Sequence, residues 1–210
     1  MNAYDVMQIS PLVPVIAIDD AKDALHLAEA LLLGGIGIME VTLRTKAGLS
    51  TIETIAKEFP QMAVGAGTVI HSEGFKQAYD HGAQFVFSPG INLEIIDASK
   101  TFNLPLIPGV ATASEVMFAL NNGFEHCKLF PATAVGGVQT LNAFSGPFPS
   151  AKFCPTGGIN LNNINDFLKL PNVLCAGGSW IVPKEALHAK DFKTITQLSQ
   201  SALEHIQNHH

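Results

Sequence analysis

"VPVIAIDDAKDALHLAEALLLGGIGIMEV", residues 13–41, holds one complete unit of the chain. An apolar run meets two aspartates, an amphipathic stretch follows, a glycine pair closes it, and a second apolar run starts at Ile36. Short runs rich in Val and Ile suit buried strands, while Asp before and Gly after an amphipathic stretch mark the ends of a helix. The unit therefore reads strand, helix, strand.

It recurs along the chain. Besides 13–18, apolar runs stand at "IGIMEV" (36–41), "MAVGAG" (62–67), "AQFVFS" (83–88), "LPLIPG" (104–109), "EHCKLF" (125–130), "AKFCPT" (151–156) and "NVLCAG" (172–177). The eight runs begin about every 21 to 26 residues, each followed by a helix-compatible stretch. "SEGFKQAYDHG" and "TASEVMFALNNG" carry helix-start signals. "VGGVQTLNAFSGPFPS", after the sixth run, is a poorer helix on propensity.

Strict alternation demands a parallel sheet covered by helices, because parallel strands need crossover connections. An open doubly wound sheet and a closed barrel both satisfy it. Eight units favour closure, and 210 residues falls at the short end of the barrel range of roughly 200 to 400. The expected fold is thus α/β, a (β/α)8 TIM barrel, with the short helix "NAYDVMQIS" across its N-terminal end. No linker-like stretch divides the chain, so one domain spanning residues 1–210 is expected.

Composition narrows the partners. Apolar residues make up 47% and charged residues only 14%, against a usual share of about 25%, enough for a substantial core. With net charge −6 and Arg44 as the single arginine, the chain lacks the footprint of a nucleic-acid binder, and a small soluble ligand is expected. Cys127, Cys154 and Cys175 form no C-x-x-C pair, which fits reduced thiols in a cytoplasmic protein. The N-terminal stretch has no positive residue ahead of a short, proline-interrupted apolar run, and reads as neither signal peptide nor membrane span. The terminal His209–His210 pair, a tag remnant or a native tail, stands outside these readings.

Two charges fall inside strands. In "IGIMEVTLR" Met39, Val41 and Leu43 form an apolar set, leaving Ile38, Glu40, Thr42 and Arg44 on the other face. The same parity in "EHCKLFP" sets Cys127 and Leu129 toward the helices and His126, Lys128 and Phe130 inward. Burial favours a neutral amine, whose lone pair can attack a carbonyl to form a Schiff base, and a nearby carboxylate can move the protons that imine chemistry needs. Glu40 and Lys128 can also be an ion pair filling a polar layer. Their place near the C-terminal ends of their runs, where barrel active sites are built, favours chemistry.

Paired glycines end the last two runs, in "PTGGI" (155–159) and "AGGSW" (176–180). Glycine lets backbone N–H groups approach an anion, and the loops after strands seven and eight are the common barrel phosphate site, where a helix N-terminus adds its dipole. A phosphorylated substrate is expected. "VGAGTV" (64–69) lacks the full dinucleotide spacing, and the histidines show no metal-binding pattern.

Seven motifs, "EVTLRT" (40–45), "GAGTV" (65–69), "FSPG" (87–90), "LPLIPGVAT" (104–112), "KLFPA" (128–132), "FCPTGGI" (153–159) and "GGSWIVP" (177–183), resemble those of 2-keto-3-deoxy-6-phosphogluconate aldolase. The resemblance runs in order from Val13 to Pro183. It implies a class I aldolase, usually a homotrimer, that cleaves this substrate to pyruvate and glyceraldehyde 3-phosphate without metal or organic cofactor; relatives often also act on 4-hydroxy-2-oxoglutarate. It makes Lys128 the Schiff-base lysine and Glu40 the general acid/base. Arg44 and Thr68 would hold the pyruvyl carboxylate, Pro89 and Phe130 would line the pocket, and Thr156 would contact the hydroxylated part. Gly157, Gly158, Gly178 and Ser179 would receive the phosphate. Where many relatives carry an acidic residue and an asparagine after "KLFPA", this chain has Thr133 and Val135. A non-covalent phosphate-binding barrel enzyme and a non-catalytic sugar-acid binder remain the alternatives from the residues alone.

Overall fold

The computed structural model describes residues 1–208, so the terminal histidine pair lies outside the described residues. Strand and helix alternate as the apolar periodicity predicts. A short helix α1 (Ala3–Gln8) precedes β1 (Leu12–Ile16), α2 (Ala24–Leu33), β2 (Ile38–Thr42), α3 (Gly48–Glu58), β3 (Ala63–Gly67) and α4 (Ser72–Asp80). Then come β4 (Val86–Phe87), α5 (Leu93–Phe102), β5 (Leu106–Ile107), β6 (Gly109–Val110), α6 (Ala113–Asn121), β7 (His126–Leu129) and α7 (Gly137–Ser145). The chain ends with β8 (Lys152–Pro155), α8 (Ile164–Leu168), β9 (Ala176–Gly178), α9 (Lys184–His188) and α10 (Phe192–Gln207).

All strand pairings are parallel, giving an α/β fold with a curled parallel sheet. The ladders fall into a six-stranded sheet, β5-β4-β3-β2-β1-β9, and a three-stranded sheet, β6-β7-β8. One uninterrupted ring of eight strands is therefore not what the hydrogen bonds draw, and two local causes account for it. Pro108 splits the fifth run into β5 and β6, because proline has no N–H to give a ladder, although its carbonyl still accepts from Lys128 N at 2.8 Å. The eighth run joins β8 only through isolated bridges, Phe153 to Val173 and Thr156 to Gly177.

Helix ends follow side-chain chemistry. Thr112 and Glu115 form a capping box at α6, as the sequence predicts. At α4 the cap is His71 rather than Ser72: the imidazole Nδ1 accepts from Gly74 N at 2.9 Å, while Ser72 N and Oγ both donate to Glu94 at the start of α5. The low-propensity segment after β7 becomes helix α7 because Leu141 and Phe144 are buried there, an instance of packing overriding propensity. In α1, Val6 and Met7 are fully buried and Tyr4 meets His126 edge-on, 5.6 Å between ring centroids, at the N-terminal start of β7. Among the described residues no helix is long and apolar enough to cross a membrane.

The strand parity holds. Met39, Val41, Cys127 and Leu129 are fully buried in the apolar core. Residues on the opposite parity, Glu40, Thr42 and Lys128, are also buried, and Thr42 Oγ1 is satisfied by donating to Ile16 O at 2.9 Å. Two charges thus sit inside the sheet's curl with almost no access to water.

Candidate active site

Glu40 and Lys128 lie 88 residues apart in sequence and meet in space. Lys128 Nζ donates to both carboxylate oxygens, at 3.1 and 3.2 Å, and the two side chains are 6% and 2% exposed. A lone charge at this depth would be strongly unfavourable, so each stabilises the other. The pair fits because β3 supplies no side chain beside it: a Cβ on Gly67 would fall 2.1 Å from Glu40 Oε1. The ammonium also faces two rings, Phe87 at 5.2 Å and Phe130 at 5.5 Å from their centroids. These apolar faces exclude water while their π-electrons favour the cation.

A cleft of about 180 Å³ brings together seven of the residues singled out from the sequence: Arg44, Phe130, Thr156, Gly157, Gly158, Gly178 and Ser179. Phe130 links it to the buried pair. It shares Val15, Arg44 and Ser179 with an adjoining bay of about 520 Å³ that Asp19, Trp180 and Lys184 help to line. Arg44 follows β2 in an exposed turn, and among the described residues no carboxylate pairs with it. A free guanidinium at the rim of a cleft is available to an anionic ligand.

Thr68 and Pro89 stand at the same end of the sheet, after β3 and β4, but do not line the cleft. Thr68 has φ of 61°, a left-handed conformation that a β-branched residue rarely takes. Strain of this kind costs about 1–3 kcal/mol and collects at ligand sites. Pro89 is held by close packing: a Cβ on Gly109 would come within 2.3 Å of the Pro89 carbonyl group, and Gly109 is the register partner of Lys128.

The glycine doublets differ from expectation in one respect. The helices that follow them begin only at Ile164 and Lys184, each five residues long, so no long helix aims its dipole at the loop. An anion there would depend on backbone N–H groups and Ser179. Gly157 and Gly158 have φ of 101° and 77°, which only glycine adopts freely.

Some participants escaped the sequence reading. Phe87 belongs to a quoted motif and alternates with Phe85 on one face, so parity could have marked it; the partner it would meet could not be seen. Gly67 carries no chemical signal, since its value is the room it leaves. His126, placed inward by parity, lies half-buried at the far N-terminal end of β7, away from the cleft. Burial lowers its pKa, with Glu125 opposing and Lys152 adding to that shift.

The thiols offer no competing nucleophile. Burial pushes Cys127 up to about 12. Cys175 is raised well above the ordinary thiol range by its hydrogen bond with Cys154 and by burial. Neutral buried thiols are inert. Among the described residues no group of His, Cys, Asp or Glu side chains is arranged to hold a metal ion.

Known proteins resemble this chain over nearly its whole length. The chain matches the family described as KDPG and KHG aldolase over residues 4–198. It is 46% identical over 198 residues to 2-dehydro-3-deoxy-phosphogluconate aldolase of Pseudomonas aeruginosa, covering 94% of this chain and 90% of that one. It is 44% identical over 203 residues to the KHG/KDPG aldolase of Escherichia coli, covering 97% and 95%. A crystal structure of KDPG aldolase from Legionella pneumophila, with pyruvate captured at low pH as a covalent carbinolamine intermediate, superposes with a TM-score of 0.95 at 47% identity, covering 97% and 98%.

Proposed function

Because this chain belongs to the KDPG and KHG aldolase family, we propose that it is a class I aldolase whose Schiff base forms on Lys128. It cleaves 2-keto-3-deoxy-6-phosphogluconate to pyruvate and glyceraldehyde 3-phosphate, and acts also on 4-hydroxy-2-oxoglutarate. The observation that carries this reading is the buried Lys128–Glu40 pair beside a cleft lined by Arg44, to which no carboxylate pairs among the described residues.

Glu40 accepts a proton from Nζ across 3.1 Å, and the neutral amine attacks the C2 ketone to give a carbinolamine. Glu40 then returns the proton to the departing hydroxyl, water leaves, and a protonated imine remains. That imine draws electrons from the C3–C4 bond while Glu40, through a water molecule, takes the C4 hydroxyl proton. The aldehyde departs and an enamine of pyruvate stays on Lys128. Reprotonation at C3 and hydrolysis release pyruvate and regenerate the amine. Arg44 and Thr68 hold the carboxylate, Pro89 and Phe130 shape the pocket, and Thr156 meets the hydroxylated carbons. Gly157, Gly158, Gly178 and Ser179 receive the phosphate. Neither metal nor organic cofactor takes part.

The same reading extends to the architecture. The bridges from β8 to the eighth run and the continuity of β5 with β6 around Pro108 support a closed (β/α)8 barrel. One core cluster draws on residues from Val6 to Ile206, which supports a single domain over residues 1–210. We read the protein as a cytoplasmic homotrimer, in keeping with its free cysteines and its exposed apolar side chains Ile70, Leu93 and Met117.

Incubation with pyruvate, reduction with borohydride and peptide mapping test the chemistry, since reduction traps only a carbonyl joined to an amine. An adduct on Lys128 is expected; folded protein without one returns Lys128 to the role of a structural ion pair.

A further inference from the structure

Three consecutive carbonyls in the loop after β8 are all engaged. Thr156 O accepts from Ala132 N at 2.8 Å. Gly157 O accepts from Thr133 N at 3.1 Å and from the Thr133 hydroxyl at 3.2 Å. Gly158 O accepts from Asn163 Nδ2 at 2.9 Å and from Asn160 Nδ2 at 3.4 Å. Asn163 is itself fixed, because its Oδ1 accepts from Asn160 N at 2.9 Å and closes the turn before α8.

In a planar trans peptide the N–H points opposite to the C=O of the same unit. Tying back the carbonyls of Thr156, Gly157 and Gly158 therefore directs the N–H groups of Gly157, Gly158 and Ile159 the other way. The Gly157 N–H turns toward Gly177, which bridges Thr156, while among the described residues neither the Gly158 nor the Ile159 N–H finds an acceptor within the protein, and both residues line the cleft.

We infer that Thr133 and Asn163 are positioning residues of the phosphate subsite: by anchoring the Gly157 and Gly158 carbonyls they hold the Gly158 and Ile159 N–H groups toward the phosphate. The inference rests on the reading of this loop as the phosphate site, and adds two side chains that need not touch the substrate. Its logic is one of pre-organisation. Glycines with φ of 101° and 77° have many alternative conformations, and a loop free to explore them would have to be ordered by the ligand at a cost in affinity. Thr133 is also where this chain departs from the acidic residue common after "KLFPA". A hydroxyl can donate to Gly157 O, whereas an ionised carboxylate cannot.

The test compares kcat/KM for 2-keto-3-deoxy-6-phosphogluconate with kcat/KM for 4-hydroxy-2-oxoglutarate, which carries no phosphate, and follows the ratio. Asn163→Ala is expected to lower that ratio about 3- to 10-fold, the net worth of one hydrogen bond. Thr133→Val should lower it less, because the Thr133 N–H remains, and Thr133→Ser should restore it. Equal losses on both substrates would mean a structural role only and overturn the inference. A parental ratio in Asn163→Ala and Thr133→Val, with a lowered one in Ser179→Ala, would also overturn it while leaving the phosphate site in place. A parental ratio in all three would remove the phosphate reading and the inference together. Should Asn163→Ala fail to fold, the Thr133→Val and Thr133→Ser pair decides alone: serine behaving as valine does sinks the role of the hydroxyl.

Discussion

Lys76 and Lys128 each pair with one carboxylate, yet the two pairs do different things. Lys76 and Asp80 sit one turn apart on α4, 53% and 45% exposed, and the hydrogen bond and charge of Asp80 raise the lysine's pKa. Water solvates both partners, so the pair adds little to stability. Lys128 and Glu40 are joined across the sheet's interior at 6% and 2% exposure, with aromatic rings on two sides of the ammonium. There each charge depends on the other. The same functional groups are solvated neighbours in one place and a mutually dependent buried couple in the other, and solvent is what separates them.

The contrast is broken most sharply by removing one lysine at a time. Lys128→Met should abolish turnover and leave Glu40 buried without a partner, costing about 3–5 kcal/mol in denaturant unfolding. Lys76→Met should leave activity and the unfolding midpoint at parental values. The double substitution Lys128→Met/Glu40→Gln should recover most of the lost stability and none of the activity; failure to recover stability would mean the pair is not energetically coupled.

Glu40→Gln alone separates proton transfer from fold. It should lower kcat by roughly 10² to 10⁴, with pyruvate still trapped on Lys128 by borohydride over long incubation. A parental kcat would remove Glu40 from the mechanism.

Gly67→Ala probes the room around the couple. Its Cβ would lie 2.1 Å from Glu40 Oε1, so the carboxylate must shift or the strand must move. A loss of about 1–3 kcal/mol is expected from overpacking, accompanied by a fall in kcat as Glu40 leaves Lys128. Stability falling with kcat unaffected would show that the pair tolerates displacement.

The smallest effect concerns His126 at the opposite end of β7. Burial depresses its pKa in the folded chain, so the unfolded chain binds the proton more readily. The stability this contributes is present above the unfolded value of about 6.5 and is lost as pH falls through the folded pKa. Thermal midpoints of His126→Gln should decline less than the parent's on acidification, and parallel curves would show that this imidazole does not matter.

Much of this could be read along the chain. Period-two alternation in "IGIMEVTLR" and "EHCKLFP" set Glu40 and Lys128 on the inner parity, because neighbouring side chains in a strand leave on opposite faces. The Thr112–Glu115 capping box was legible for the same local reason. Ser72 was not: its hydroxyl and N–H reach Glu94, 22 residues on, which no local pattern announces. Pro108 was visible as a residue without an N–H, but its effect on the sheet depended on where its neighbours run. The anchoring of Gly157 and Gly158 depended on two segments, Thr133 and Asn163, that meet them only in the folded chain.

By itself the sequence determined what repeats at short range: the alternation of strand and helix, the face each strand residue takes, and the presence of two charges where water would be scarce. These follow from backbone geometry and the burial of apolar surface, which act over a few residues. Only the tertiary structure decided that Nζ of one strand stands 3.1 Å from a carboxylate 88 residues away, that Gly67 leaves space for it, and that Thr133 and Asn163 tie back the Gly157 and Gly158 carbonyls beside the cleft. Those depend on the register of parallel strands and on the curl of the sheet, which no single segment specifies.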